Sequence, residues 1–255
     1  MIVVTVVGGE KYLEYSLIYI YSIKKAYPQY DIMIYSWDDF SHLHPKLKLL
    51  KAENSMMRLD FQYKRTVRNF QKSRFLLGKQ FFKGHKYAYI GDVDFFICKE
   101  QPSIEELHTG RVKETGFCYS NEERRGLKRL TGLHFIEVDR YFKLIDVQLQ
   151  KYKKRVLLDI CNITDEEMLF QMCQNSKVGI ITGQVRPHHG IHLGYVRQLL
   201  RKNSQKGLNN ISKISKKYSA QFINAYENDP LFKELIKGLT IENDINILYE
   251  NLRNK

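Results

Sequence analysis

Residues 87–98 read Tyr87-Ala-Tyr-Ile-Gly-Asp-Val-Asp-Phe-Phe-Ile-Cys98, an apolar and aromatic run broken by Asp92 and Asp94. Flanks of this kind form strands and are ordinarily buried, where a carboxylate is costly unless paired or bound to a cation. Successive strand side chains point to opposite faces, so positions i and i+2 share one. The two acids are therefore expected to reach a common point at a strand end, which suits a hard divalent metal held by oxygen. The plain structural alternative is a strand ending in a turn, with both acids solvated.

Outward from this strand, apolar runs alternate with helical patterns. Residues 1–7 predict a strand ending at Gly8-Gly9, and residues 11–27 carry Leu13, Leu17, Ile20 and Ile23 at helical spacing up to Pro28. Residues 31–36 predict a second strand and 60–82 a long basic helix before Gly84. Further strands are expected at 133–138 and 177–182, and a helix at 164–175. This alternation argues for an α/β fold, a mainly parallel sheet flanked by helices. Ligands of such sheets bind at the carboxyl ends of strands, where Gly8-Gly9 and Asp92–Asp94 would both lie. From Arg197 onward, basic residues (Arg197, Arg201, Lys202, Lys206, Lys213, Lys216, Lys217) accompany Ile211, Ile214, Tyr218 and Phe222 at helical spacing. We read 1–196 as the main domain and 197–255 as a helical C-terminal appendage with a basic face.

At 255 residues and 43% hydrophobic, the chain can bury a substantial core. Cys98, Cys118, Cys161 and Cys173 lie far apart with no CxxC pair, as in reduced, buried thiols of a cytosolic protein, and a structural zinc site is not indicated. The initial strand leaves no room for a signal peptide, and no apolar stretch reaches membrane-spanning length, so a cytoplasmic protein is expected. The formal charge of +13 favours a polyanionic partner: nucleic acid, an anionic lipid surface, or a phosphorylated substrate.

Other candidates have structural alternatives of their own. Arg74 could face the metal and an adjacent phosphate or sugar, or be one more arginine of a basic helix beside Arg65 and Arg68. Thr164 with Glu167 fits a capping box, which explains both by helix initiation alone. Asp165 and Glu166 then fall in the first helical turn, favoured by the macrodipole whether or not they do chemistry. Residues 186–194, Arg-Pro-His-His-Gly-Ile-His-Leu-Gly, hold three of the eight histidines, and neutral imidazole is a common metal ligand. His188, His189 and His192 all remain open as the ligand.

Together these pieces resemble the GT-A glycosyltransferases, most nearly family 8, with one feature closer to family 6. Val6-Val-Gly-Gly9 with Tyr12 is similar to the part of that fold that holds the nucleotide base. Lys72-Ser-Arg-Phe75 followed by Tyr89-Ile-Gly-Asp-Val-Asp94 resembles the sugar-contacting arginine and the DxD motif. Thr131-Gly132 stands where family 8 writes Asn-Ala. Asp165-Glu-Glu-Met-Leu169 resembles the Asp-Gln-Asp-x-Leu of family 8, and more closely the Asp-Glu-x-x-Leu of family 6. Ile191-His-Leu-Gly194 resembles the late motif whose histidine completes the metal site, though without the Lys-Pro-Trp ending of family 8.

The resemblance implies a metal-dependent transfer of a hexose, galactose or glucose, from a UDP-sugar to a saccharide or lipid-linked acceptor, with retention of configuration. It implies Mn²⁺, or Mg²⁺ in its place, held by Asp92, Asp94 and His192. Donor contacts would come from Val7, Gly8 and Tyr12, from Arg74, Asp92 and Val93, and from Thr131, Gly132, Arg186 and His189. Glu166 would act beneath the anomeric carbon while Asp165 holds donor hydroxyls. A bacterial surface polysaccharide or lipopolysaccharide is the implied product, and the basic C-terminal helices would rest peripherally on an anionic membrane. Two other classes compete: a basic nucleic-acid-binding protein, for which no module is found, and a metal-dependent phosphoryl-transfer enzyme, which generally needs more acidic ligands.

Overall fold

Ile2-Val-Val-Thr-Val-Val7 is apolar without alternation, as suits a strand covered on both faces, and all six residues are buried at the centre of the sheet. The computed structural model describes residues 1–255 apart from Arg125, Arg186 and 201–203. The chain opens with β1 (Ile2–Val7), α1 (Glu10–Ala26), β2 (Asp31–Ser36), α2 (His44–Leu49), β3 (Met56–Arg58) and α3 (Val67–Ser73). There follow β4 (Tyr87–Ile90), β5 (Phe95–Ile97), α4 (Ile104–Thr115) and the short strands β6 (Tyr119–Ser120), β7 (Glu123–Arg124) and β8 (Arg129–Leu130). Next come β9 (His134–Glu137), α5 (Val138–Leu157), α6 (Asp165–Gln174) and β10 (Gly190–His192). The remaining elements are helices: α7 (Tyr195–Leu200), α8 (Ser204–Ser212), α9 (Lys216–Asn228), α10 (Pro230–Ile236) and α11 (Glu242–Arg253).

The main sheet has the order β3-β2-β1-β4-β9-β6. Its first four strands are parallel, and β9 enters antiparallel between β4 and β6. This is the α/β architecture expected from the sequence. Alternate residues of β1 feed two cores: Val3 and Val7 pack on the α1 side, Ile2, Val4 and Val6 on the α5–α6 side. β5 leaves the sheet and pairs instead with β10, with Gly190 opposite Ile97, Ile191 opposite Phe96 and His192 opposite Phe95. Gly190 is required there, because a Cβ would meet the Phe96 carbonyl oxygen at 2.0 Å.

α1 is buried on nearly every side because α9–α11 cover its outer face; Phe222, Phe232, Ile245 and Leu248 join its hydrophobic core. Polar anchors hold this seam. Glu14 accepts from the Thr240 hydroxyl at 2.6 Å, Tyr21 donates to Asp229 at 2.8 Å, and Lys11 pairs with Asp244 at 2.6 Å. The apolar residues of the basic segment, Ile211, Ile214 and Phe222, are spent on this interior, leaving Lys213, Lys216 and Lys217 exposed without an apolar stripe beside them.

Two expectations are corrected. Residues 60–82 do not form one long helix: α3 starts only where Thr66 caps it, accepting from the Asn69 amide at 3.2 Å. It gives way to 3₁₀ turns at Arg74–Leu76 and Lys79–Phe82, split by extended Leu77 and Gly78. Residues 177–182 form no strand. Val178 and Ile181 are buried, but the Tyr119 hydroxyl replaces a ladder, donating to the Gly179 carbonyl at 3.2 Å and accepting from the Ile181 amide at 3.0 Å.

Candidate active site

The carboxyl ends of β1 and β4 open into a cleft of about 260 Å³. Val6, Val7, Gly8 and Tyr12 form one wall, Val67, Phe70 and Gln71 of α3 another, and Arg74, Asp92, Val93, Asp94 and His192 the charged end. Residues from four separate stretches of sequence thus converge on one cavity. Gly8 lies flat against Phe70, whose ring a Cβ would strike at 2.6 Å. Phe70 meets the buried Trp37 edge-on at 4.9 Å, and Asp38 accepts from the Gly9 amide at 2.7 Å while also pairing with Arg65. Sequence reasoning missed Trp37, Asp38, Arg65 and Phe70; a tryptophan and two acids straight after a strand was the available signal.

Arg74 is 5% exposed and lies between two carboxylates, pairing with Asp92 through Nη1 and with Asp165 through Nη2 at 2.6 Å. Burial works against its charge, but Asp92 and Asp165 outweigh it and hold the guanidinium above its usual range. Gly132 allows the Arg74–Asp92 pair to form, since a Cβ would stand 2.8 Å from Arg74 Nη2 and 2.9 Å from Asp92 Oδ2. Thr131 does not line the cleft; its hydroxyl donates to Asn121 Oδ1 at 2.6 Å.

The capping box of α6 is formed, with Thr164 accepting from the Glu167 amide at 3.2 Å and Glu167 from the Thr164 amide at 2.8 Å. Asp165 and Glu166 therefore sit in the first turn at the positive helix end. Neither Asp165 nor Glu166 lines the cleft itself; Asp165 is joined to it by its pair with Arg74. Glu166 is held from above by Arg124 Nη2 at 2.9 Å, and Arg129 Nη2 takes Glu167 at 3.1 Å. Arg124 and Arg129 face each other in the two-stranded β7–β8 hairpin. Burial raises the Glu166 carboxyl above the ordinary range; Arg124 opposes that shift, and Asp165 and Asp92 add to it.

The shared-face argument for Asp92 and Asp94 is corrected. Both acids lie after β4 ends at Ile90, where strand alternation no longer governs direction. Asp92 turns to Arg74, whereas Asp94 Oδ1 faces His192 Nε2 at 3.5 Å. His192 Nδ1 is buried without a hydrogen-bond partner. Among the described residues no three His, Cys, Asp or Glu groups gather closely enough to hold a metal ion. Asp94 and His192 fit two ligands of a divalent cation, while Asp92 is engaged elsewhere. Asp92 and Asp165 flank Arg74, Glu166 meets Arg124, and Asp94 faces His192.

His189 is a further correction: it does not line the cleft. It is 1% exposed, with Nδ1 2.8 Å from Glu100 Oε1 and Nε2 2.8 Å from His108 Nε2. His188 is exposed, its ring stacked 6.1 Å from Phe95. Arg186 lies outside the described residues.

No protein-family model and no curated protein matches the chain. Solved structures do. The bifunctional glycosyltransferase WbbM, in its apo form, has a TM-score of 0.53 at 11% identity, over 97% of this chain and 51% of that one. The glycosyltransferase GlyE of Streptococcus pneumoniae has a TM-score of 0.52 at 11% identity, over 98% of this chain and 63% of that one. The galactosyltransferase LgtC, in complex with donor and acceptor sugar analogs, has a TM-score of 0.48 at 10% identity, over 100% of this chain and 96% of that one. The chain spans about half of WbbM and somewhat under two thirds of GlyE. At such identities the likeness is one of fold, and the fold is that of GT-A-type glycosyltransferases.

Proposed function

We propose that the chain is a glycosyltransferase of the family 8 kind, moving a hexose, galactose or glucose, from a UDP-sugar to a saccharide or lipid-linked acceptor. The observation that carries this reading is the cleft itself. In a GT-A-type fold, a narrow aromatic-walled end at Gly8 and Tyr12 adjoins a charged end of Arg74, Asp92, Asp94 and His192. A flat base suits the first end and a sugar diphosphate the second.

Arg74, kept charged by its buried carboxylates, would meet the growing negative charge of the leaving diphosphate and order the sugar. Asp94 and His192 would hold Mn²⁺, or Mg²⁺ in its place; Asp92, the third ligand that the family resemblance implies, would have to leave Arg74 to join them. When bound, the ion supplies charge neutralisation at the diphosphate. Glu166 would face the anomeric carbon and stabilise its cationic character, with Asp165 on the donor hydroxyls. Carboxylates serve sugar centres in this way in glycoside hydrolases, and a retained configuration follows if Glu166 displaces the nucleoside diphosphate and the acceptor hydroxyl, losing its proton, then displaces Glu166, each step inverting the anomeric carbon.

Among the described residues no helix is long and apolar enough to cross a membrane. A peripheral contact through Lys213, Lys216 and Lys217, serving bacterial surface polysaccharide synthesis, would rest on charge alone and weaken with salt. The test is a panel of nucleotide sugars assayed for Mn²⁺-dependent nucleotide release, beside thermal shifts with UDP and with an oligonucleotide. UDP release and UDP stabilisation are expected. Stabilisation by the oligonucleotide alone, without sugar-nucleotide turnover, overturns the reading.

A further inference from the structure

The β5–β10 ribbon has only three residue pairs and joins segments more than ninety positions apart. Two-stranded ribbons of this size are marginal on their own, so something outside the ladder must fix it. At its far end the Cys98 amide donates to the His189 carbonyl at 2.9 Å, and there a buried polar chain begins. Glu100, just after β5, meets His189, just before β10, at 2.8 Å. His189 meets His108 of α4 at 2.8 Å, and His108 Nδ1 meets the Ser120 hydroxyl of β6 at 2.8 Å.

One set of tautomers satisfies the whole chain: the Glu100 carboxylate accepting from His189 Nδ1–H, His189 Nε2 from His108 Nε2–H, and His108 Nδ1 from the Ser120 hydroxyl. That arrangement needs no charge on either ring. Tyr89 and Phe135 pack on the rings and keep water out. His189 moreover holds a left-handed φ of 60°, an unfavourable conformation for a side-chain-bearing residue that surrounding contacts must maintain. At the near end of the same ribbon, the Leu193 amide donates to the Asp94 carbonyl at 2.8 Å, placing Asp94 beside His192.

We infer that Glu100, His189 and His108 form a latch that clamps the far end of the β5–β10 ribbon to α4 and β6 and thereby positions Asp94 and His192. They are positioning residues and touch no substrate. That the positioned pair serves a metal rests on the proposed function; the latch itself does not.

The experiment combines amide hydrogen exchange with Mn²⁺ titration on the full chain, for wild type, His108→Ala, His189→Gly and His189→Asn. Glycine tolerates the left-handed φ, so His189→Gly removes the ring without adding strain. Asparagine also accepts that φ and keeps a donor toward Glu100. In His108→Ala and His189→Gly, the Cys98 and Leu193 amides are expected to exchange at least tenfold faster while β1 and β2 keep wild-type protection. Mn²⁺ affinity falls at least tenfold in the same variants, and His189→Asn recovers part of both. Wild-type exchange at Cys98 and Leu193 in folded His189→Gly, or equal loss throughout the sheet, overturns the latch. Failure of wild type to bind Mn²⁺ overturns the metal assignment instead, with the exchange pattern still deciding the latch.

Discussion

At one end of the β5–β10 ribbon, Asp94 and His192 stand 3.5 Å apart beside the cleft, with His192 28% exposed and its Nδ1 without a partner. At the other end His189 is 1% exposed and both ring nitrogens are engaged, on Glu100 and on His108. The residue type is the same and the separation is three positions. A histidine with both nitrogens engaged by the protein has none left for a ligand, whereas His192 turns Nε2 toward the Asp94 carboxylate at the cleft. The two histidines differ in partners, not in residue identity.

The comparison can be broken or sharpened by substitution. Asp94→Ala should remove turnover by about 10³-fold or more, with the thermal midpoint moved by no more than about 3 °C. Retained sugar-nucleotide turnover in that variant would show that the open end is not the reactive one. Arg74→Met leaves Asp92 and Asp165 facing each other without their cation and should cost about 3–4 kcal/mol in urea unfolding. A loss under about 1 kcal/mol would mean that the two carboxylates are well solvated without it. Gly190→Ala strikes the ribbon between its two ends and should cost about 3 kcal/mol, lowering stability and nucleotide-sugar turnover together. Damage confined to one of these readouts would show the two ends to be uncoupled.

The smallest effect concerns pH. Glu166 has a raised carboxyl pKa in the folded chain, so its ionised form is disfavoured by folding and stability falls as pH rises from the unfolded toward the folded value. Glu166→Gln should therefore raise the melting temperature by roughly 1–3 °C at pH 7, a gain that disappears below the unfolded pKa. The same variant should lose turnover. A melting temperature lowered at pH 7 would show that the Arg124 contact outweighs the cost of burial.

Much of the frame was legible because its signals are local. The uninterrupted apolar run of β1, the spacing of α1 and the Thr164–Glu167 box each specify an element within a few residues, and each formed. The cleft's Gly8, Asp92 and Asp94 were likewise named from their own surroundings, Arg74 was one of two open readings, and Tyr12 came from the family resemblance alone. What was misread depends on partners far away in sequence. Alternation along an assumed strand could not reveal that Asp92 turns to Arg74, because the strand ends two residues earlier. A cluster of histidines could not tell inside from outside, since His189 is buried by α4 and β6, elements some seventy to eighty positions away. The β7–β8 hairpin escaped notice because two residues per strand carry no period.

That hairpin sets two arginines against each other across one of its two rungs, an arrangement that like charges oppose. Among the described residues, the neighbouring glutamates of α6 offset it, one for each arginine. Whatever cancels Glu166, be it a proton or a glutamine, also removes the counterweight holding the hairpin shut. Susceptibility to trypsin after Lys128 would then serve as a mechanical gauge of the carboxylate's state, readable on a gel before any sugar has been identified.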